Sequence, residues 1–374
     1  MSADRGFLLS EDDLHPLALG AAILGTGGGG SPYIGMLRSR QMLRAGAEVR
    51  ILPLEALPDD AWVGAVGNIG APVIGVEKLS EGGETYRAFR AVEETAGVTV
   101  SALIADEIGG ANALAPVIVA ARAGLPVLDA DGMGRAFPEV QMTTFSIYGV
   151  NEDDFAAVAD DKGNVVLVRH VAEAVWMERF LRNAVVQMGA GAGAAGAPMQ
   201  MARLRPAAIP GTVSQALAIG RALLAARAKR QDPVERVAEA AGGRVVFQGK
   251  ISDLRRDLTG GFMRGHAEVT GTGEWQGSVA RIEIQNENLV LWIDGNSVVT
   301  VPDLIMNLQI DTGEPITTEA LRYGQRVAVL AMPAHNLLKT PEALKVVGPA
   351  AFGYADLAFH PFHPDNGVRP TVND

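Results

Sequence analysis

The segment from residue 103 to residue 142 constrains the fold of this chain most strongly. Short apolar runs at 102–105 and 127–129 have the length and composition of buried strands, and residues 112–123 between them are rich in Ala, Val and Ile, which indicates a helix. A strand, a helix and a second strand in this order place the two strands parallel in one sheet. Because the alternation begins near residue 49, we predict an α/β fold with an N-terminal parallel or mixed sheet flanked by helices.

Acidic residues follow both of these predicted strands. Asp106 and Glu107 come directly after the first strand, and Asp129 and Asp131 lie at the end of the second. Ligands of open parallel sheets bind beyond the carboxyl ends of the strands, so we expect the two acidic groups to line one pocket. Crowded carboxyl groups supply a base and an acid, or they hold a divalent cation through oxygen ligands. The structural alternative is a strand-to-loop turn whose aspartates cap nearby N–H groups. The candidate catalytic residues, which are also the candidate metal ligands, are Glu107, Asp129 and Asp131.

Polar residues near the acids are candidates for binding a substrate. Arg135 offers two parallel donors to a substrate carboxylate, or it neutralises a neighbouring aspartate. Asn112 and Glu139 lie in the same stretch. Asn68 and Glu77 flank a loop that either reaches the same pocket or is simply solvated.

Four consecutive glycines follow Thr26. Gly25, Gly27 and Gly30 match the G-x-G-x-x-G pattern of dinucleotide-binding loops, but that motif requires a preceding strand. Residues 18–24 have the pattern of a helix instead, and Pro32 follows the glycines closely. We therefore expect a nest of backbone N–H groups that binds an anion, with the next serine capping the following helix. The candidate residues of this loop are Gly27, Gly28, Gly29 and Ser31.

The middle of the chain indicates that antiparallel structure begins there. Residues 142–149 (MTTFSIYG) predict a strand, and residues 155–170 predict a β-hairpin. The stretch GAGAGAAGAP at 189–198 is either a linker or a place where small residues permit close backbone packing. Helices are predicted at 171–188 and 211–230.

The composition changes again after residue 242, where alternating apolar runs are separated by Gly, Asn and Asp turns. We therefore predict an α/β domain over residues 1–242 and a β-rich domain over residues 243–374. The polar residues of this second domain that are placed to face a ligand are Asp303, Thr317, Thr318 and Glu319. A helix capped by Thr317 or Thr318 also explains the last three without a functional role.

Charge and residue usage exclude several classes of protein. The net charge is −11 with no basic block, so nucleic acids and anionic membranes are not expected partners. The absence of Cys excludes thiolate nucleophiles, disulfides and Fe–S clusters. His360 and His363 share a metal with a carboxylate, or they belong to an extended tail. No signal peptide and no apolar run of membrane-spanning length is evident, so we expect a cytoplasmic protein that acts on a small molecule and forms a homo-oligomer.

Several motifs together resemble the S-methyl thiohydantoin desulfurase domain family. They are LGTGGGGSPYIG, DEIGGAN with LDADGMGRAFPEVQM, PGTVSQALAIGRA, and VPDLI with GEPITTEALRYGQRV. The resemblance covers residues 10–355, whereas ADLAFHPFHPDN departs from the ending expected of the family. It implies an α/β domain followed by a β-rich domain, chemistry on five-membered cyclic ureides or their sulfur analogues, and association with hydantoinase- or oxoprolinase-type enzymes.

Two functions are consistent with these observations. The first is a hydrolase in which carboxylates, or a metal that they hold, direct water to C2 of a hydantoin-type ring. The second is a non-catalytic binding subunit of a hydantoinase-type complex.

Overall fold

The computed structural model describes residues 6–70, 78, 80–150, 155–259 and 262–365. Glu77, a candidate pocket residue, lies outside the described residues. Within these ranges no helix has the length and apolar character needed to cross a membrane.

The first sheet contains ten strands within the described residues. Their order is β1-β2-β5-β4-β3-β8-β6-β7, with β10 beside β5 and β9 beside β3. The strands are β1 Phe7–Leu8, β2 Arg50–Leu52, β3 Trp62–Gly70, β4 Val100–Ala105, β5 Val127–Asp131, β6 Phe155–Ala159, β7 Val165–Arg169, β8 Gly191–Gly196, β9 Met199–Gln200 and β10 Ile209–Pro210. Strands β2, β5, β4 and β3 are mutually parallel, and the remaining pairs are antiparallel. The mixed α/β sheet predicted from the sequence is therefore confirmed.

Helices lie between the strands of this sheet and continue after it. The predicted helix at 112–123 is a 3₁₀ turn followed by the helix α4, and the other predicted helices are also present. The helices are α1 Glu11–Leu24, α2 Tyr33–Arg44, α3 Glu84–Ala96, α4 Ala115–Ala123, α5 Thr144–Ile147, α6 Ala174–Gln187, α7 Met201–Leu204, α8 Thr212–Ala228, α9 Pro233–Ala240 and α10 Pro341–Val347. Two helix starts follow directly from the sequence. The N–H of Ser10 donates to the Asp13 carboxylate ahead of α1, and Asp232 accepts two N–H groups ahead of α9.

The second sheet has seven strands in the described residues, all antiparallel, in the order β15-β14-β13-β12-β11-β17-β16. The strands are β11 Arg244–Thr259, β12 Phe262–Gly271, β13 Val279–Gln285, β14 Glu287–Ile293, β15 Asn296–Thr300, β16 Leu304–Gln309 and β17 Arg326–Met332. This sheet confirms the β-rich C-terminal region. The domain boundary near residue 242 stays a prediction, because one apolar core continues from Leu17 and Leu217 to Leu308 and Leu330 of the second sheet.

Two local predictions are changed by the structure. The strand predicted at 142–149 is wrong, because these residues form α5, whose start is capped by Thr143 accepting the N–H of Ser146 at 3.2 Å. The glycine- and alanine-rich stretch is not a linker, since it contains β8, which pairs with β3 on one side and β6 on the other. Close packing explains its composition: a Cβ on Gly193 would lie 2.1 Å from the backbone nitrogen of Thr85.

Candidate functional site

A cavity of about 600 Å³ lies where the carboxyl ends of β3 and β4 meet the second sheet. Asn68 of β3 and the two acids after β4, Asp106 and Glu107, contribute to its wall. Gly29 of the glycine loop and Glu287 from the start of β14 complete this part of the wall. The cavity therefore combines the edge predicted from the sequence with a residue of the C-terminal sheet.

Asp106 presents a carboxylate to this cavity. Its side chain is partly exposed, and within the described residues it makes no hydrogen bond to another protein group. Burial raises the pKa of Asp106 to about 7, because the surroundings disfavour the charged form. A carboxyl group that titrates near neutral pH and has no protein partner is suited to accept and return a proton.

Glu107 is the other acid after β4, and its side chain is only 6% exposed. Its carboxyl group accepts hydrogen bonds from the Asn112 amide at 2.7 Å and from the backbone N–H of Phe137 at 3.2 Å. Asn112 is itself held by Asn68, whose backbone N–H donates to the Asn112 side-chain oxygen at 2.7 Å. Burial, and then the nearby Glu287, raise the pKa of Glu107 well above its ordinary value. The network fixes Glu107 in place, while burial and Glu287 favour its protonated form.

Glu287 is the acid that sequence reasoning missed. It follows Asn286, which has a left-handed backbone (φ 57°) in the turn between β13 and β14, and its side chain is 2% exposed. Its Oε2 atom has no hydrogen-bond partner in the described residues, while burial raises the pKa of Glu287 to about 8 against the opposing charge of Arg135. The QNEN sequence of this turn is also typical of an ordinary solvated hairpin, so it carried no signal of a buried acid.

The glycine loop joins the two sheets. The backbone oxygen of Gly27 accepts the N–H of Thr318 at 2.8 Å, and that of Thr26 accepts the N–H of Asn288 at 2.8 Å. Thr318 therefore anchors the loop and does not line the cavity. The loop is preceded by the helix α1 and not by the strand that a dinucleotide-binding motif requires. Of the predicted loop residues, Gly29 and Ser31 line the cavity, whereas Gly27 and Gly28 pack against the second sheet.

Asp129 and Asp131 lie outside the cavity lining. Asp129 accepts hydrogen bonds from the backbone N–H of Ser214 at 2.9 Å and from its hydroxyl at 2.5 Å, so it fixes the first turn of α8. Asp131 is fully buried, and one of its oxygens accepts the N–H groups of Ile108, Met133 and Gly134. Both aspartates therefore stabilise local structure by accepting nearby N–H groups, which is the structural alternative considered in the sequence analysis.

Arg135 also lies away from the cavity, and it is fully buried. All five of its N–H donors are used by protein oxygens, which leaves none for a substrate carboxylate. Their acceptors belong to Thr26, Ala136, Asn288, Pro302 and Asp303. Arg135 thus connects the glycine loop, its own loop and the second sheet.

The other residues singled out from the sequence do not form one group in the structure. Glu139 lines the cavity and accepts a hydrogen bond from the Gln141 amide. Asp303 is fully buried and accepts the backbone N–H groups of Ala334 and Phe362 at 2.7 and 2.6 Å, so it has a structural role. The tail histidines His360 and His363 are exposed.

The donor set does not fit a resident metal ion. Across the described parts of the chain, no group of three or more His, Asp or Glu side chains is arranged to hold one. The candidate ligands Glu107, Asp129 and Asp131 instead accept hydrogen bonds from neighbouring protein groups. We therefore consider the carboxyl groups of the cavity as the groups that could transfer protons.

The fold and the site define a two-sheet α/β protein with an acid-lined cavity where the sheets meet. The chain belongs to the S-Me-THD-like family, since the N-terminal domain model matches residues 12–170 and the C-terminal domain model matches residues 172–362. The structure is similar to the crystal structure of a protein from Chromobacterium violaceum, with a TM-score of 0.78 and 25% sequence identity over 95% of this chain and 100% of that one. No curated protein matches the chain.

Proposed function

We propose that this protein is a hydrolase that removes the methylthio group from C2 of an S-methyl thiohydantoin, with Asp106 as the base and Glu287 as the acid. The observation that carries the proposal is the Asp106 carboxylate, which lines the cavity without a protein partner among the described residues. The family to which the chain belongs supports the substrate class.

The reaction requires one water and no external oxidant or reductant. Asp106 takes a proton from the water as its oxygen bonds to C2, and the π electrons of the ring C2–N double bond move to nitrogen, which takes a proton from Glu287. In the second step the C2–S bond breaks, and Asp106 returns its proton to the departing sulfur. The new C2 hydroxyl gives its proton to Glu287 as the carbonyl forms, so the products are a hydantoin and methanethiol.

Two acids with different surroundings suit this exchange. A pKa of about 7 leaves Asp106 substantially ionised at neutral pH, and a pKa of about 8 keeps Glu287 largely protonated. Glu107, held by Asn112 and Phe137, adds a fixed polar group beside them.

Thiol release provides a direct test. The chain contains no Cys, so a thiol-specific chromogenic reagent reports methanethiol without background from the protein. We expect thiol release and hydantoin formation in equal amounts from S-methyl thiohydantoin. Absence of thiol release, with protein that is folded by circular dichroism, would overturn the proposal.

The alternative, a binding subunit of a hydantoinase-type complex, is favoured by an exposed apolar surface on α6. Trp176 and Phe180 are 40% and 49% exposed, with ring centroids 5.8 Å apart. Contiguous exposed apolar patches mark protein contacts in many proteins. Stoichiometric co-purification with a hydantoinase-type enzyme, lost on replacing both rings by Ser, together with no thiol release by the isolated chain, would support it.

A further inference from the structure

We infer that the outer edge of β7 is an interface between two copies of this chain, which pair strand to strand in a two-fold dimer centred on Leu167. The strand β7 lies at one end of the first sheet, and within the described residues it is bonded only to β6. The opposite end of that sheet is β1, which has only two residues. A longer edge such as β7, with unpaired N–H and C=O groups, is a site for pairing with another strand.

The ladder between β6 and β7 shows which groups of β7 are free for such pairing. The N–H of Asp160 donates to the backbone oxygen of Asn164, so these two residues form a hydrogen-bonded pair. Hydrogen-bonded and non-hydrogen-bonded pairs alternate along an antiparallel ladder. The pairs that Val165, Leu167 and Arg169 make with β6 are therefore of the second kind. The backbone N–H and C=O groups of these three residues are directed to the outer edge.

These three residues are complementary to a second copy of themselves. When two β7 strands run antiparallel about a two-fold axis at Leu167, this residue faces its own copy and Val165 faces Arg169 of the other strand. Every outward N–H and C=O group of both strands is then in a hydrogen-bonded pair. An axis at Val166 or Val168 leaves one of the three without a strand residue opposite it, so Leu167 is the best centre.

Apolar side chains beside this edge are exposed in a single copy of the chain. Their exposed fractions are 37–51%, and the residues are Val165, Val166, Trp176, Phe180 and Val186. Together they offer roughly 400 Å² of apolar surface, which is close to the apolar share of the 800 Å² or so that each partner contributes to a stable interface. The surface is therefore large enough for a stable dimer.

The helix α6 directs its exposed aromatic pair away from the cavity. Val168 of β7 packs in the same apolar cluster as α6, so the helix covers the sheet beside this edge. Glu178 and Arg182 are bonded to backbone groups of the cavity wall, whereas Trp176 and Phe180 precede them by two residues, roughly 200° around the helix. A two-fold axis perpendicular to the paired sheet places both α6 helices on the same face. The aromatic pair of each helix then faces the junction.

The charge near the edge is compatible with a second copy. The net charge of the chain is −11, which opposes self-association in general, but β7 itself contains no acid and ends with Arg169. The two acids of the preceding turn are engaged within the chain. Asp160 accepts N–H groups of its own turn, and Asp161 forms an ion pair with Lys78. Charge repulsion is therefore weaker at β7 than the net charge suggests.

Sedimentation equilibrium of the full chain at micromolar concentrations tests the inference, and we expect a dimer. Val165→Lys places a cation opposite Arg169 of the other copy, whereas Val165→Glu places an acid there. Since each change occurs twice in a dimer, we expect the dissociation constant of the Lys variant to exceed that of the Glu variant at least about tenfold. Val279→Lys is the matched control, because Val279 of β13 is 42% exposed and Val165 is 43% exposed.

Single cysteines report the register directly, since the chain contains no Cys. Leu167→Cys brings two thiols together, because the Cα atoms of a hydrogen-bonded pair are about 5.5 Å apart, a distance that a disulfide spans. Val165→Cys is the control on the same strand, since its two copies lie four residues apart, roughly 13 Å. We expect a disulfide-linked dimer under mild oxidation with Leu167→Cys only.

The outcomes that overturn the inference are distinct from those that concern turnover, because none of these measurements uses a substrate. A monomer at every concentration would overturn it, and so would a dimer whose dissociation constant is the same in Val165→Lys and Val165→Glu. If Leu167→Cys does not fold, the two Val165 variants decide the question. A monomer that binds a hydantoinase-type enzyme through Trp176 and Phe180 would assign the surface to that enzyme and not to a second copy.

Discussion

Glu287 of the C-terminal sheet lies directly against Gly28 of the N-terminal glycine loop, and a Cβ on Gly28 would be 1.9 Å from Oε1 of Glu287. The loop and the acid therefore depend on each other, although they are distant in the sequence. Gly28 is required because only a residue without a side chain leaves the space that Glu287 occupies.

Replacing Gly28 by Ala should displace the Glu287 carboxyl group. Since small displacements of catalytic groups cost large factors in rate, we expect kcat/KM to fall by about 100-fold. The double variant Gly28→Ala/Glu287→Gln tests the cause, because the two losses should not add when one change acts through the other. Additive losses would show that Gly28 acts independently of Glu287.

Asp106→Asn should lower kcat by about 1,000-fold, because the amide cannot accept the proton from water. At pH 5.5, where the Asp106 carboxyl group is largely protonated, stability should change little, since Asp106 makes no side-chain hydrogen bond within the described residues. Asp129→Asn is the comparison that separates the sequence-based hypothesis from the structure-based one. That change weakens a helix cap at Ser214 and should cost about 1 kcal/mol of stability with activity retained. Loss of activity in Asp129→Asn, with activity retained in Asp106→Asn, would instead favour Asp129 as the catalytic residue.

The rate should depend on pH through two groups. A base must be ionised and an acid protonated, so kcat/KM should rise with pH through about 7 as Asp106 ionises and fall above about 8 as Glu287 loses its proton. Glu287→Gln should abolish the alkaline decrease and lower the maximum. A profile of Glu287→Gln that keeps the decrease near pH 8 would assign the acid to another group.

Stability should also depend on pH. The pKa values of Asp106 and Asp131, about 7, and of Glu287, about 8, are raised in the folded protein, so the folded state binds more protons than the unfolded chain between about pH 4 and pH 8. Stability from these groups is complete at low pH within this window and decreases as the pH rises. His335, whose pKa is lowered by burial, acts in the opposite direction.

We therefore expect a higher melting temperature at pH 5.5 than at pH 8.5, measured by calorimetry at constant ionic strength. The variant Glu287→Gln, which removes one of the raised acids, should show a smaller difference between the two conditions. If the melting temperatures of Glu287→Gln at the two pH values differ as much as those of the wild type, or more, the pKa of Glu287 is not raised in the folded protein.

The fold was predictable where local patterns and tertiary structure agree. The strands around Leu103 and Val127 and the helix between them follow from apolar runs and their spacing. The strand predicted around Phe145 failed because the cap at Thr143 starts a helix that a short alternating pattern does not reveal. Strand β8 was not predictable, because glycine has low strand propensity and the need for glycine at 193 comes from close packing on α3, which is distant in the sequence.

The site was predictable only in part for a similar reason. The strand-end argument expected Glu107 and Asn112 at a pocket beyond β4, and in the structure both residues line the cavity. It did not distinguish Asp106 from Asp131, because the difference lies in which carboxylate is enclosed by N–H groups of other segments. Glu287 reaches the cavity from a separate sheet, so no pattern within one segment identifies it.

Arg135 is expected to be essential for stability and not for catalysis. Replacement by Lys removes the planar set of donors and leaves several of its five buried acceptors without partners, so we expect a loss of about 3 kcal/mol or more in urea unfolding. Arg326→Lys is the matched control, because its ion pair with Asp311 is exposed and such pairs contribute less than about 1 kcal/mol. If Arg135 instead bound the substrate, Arg135→Lys would raise KM while the urea midpoint matched that of the control.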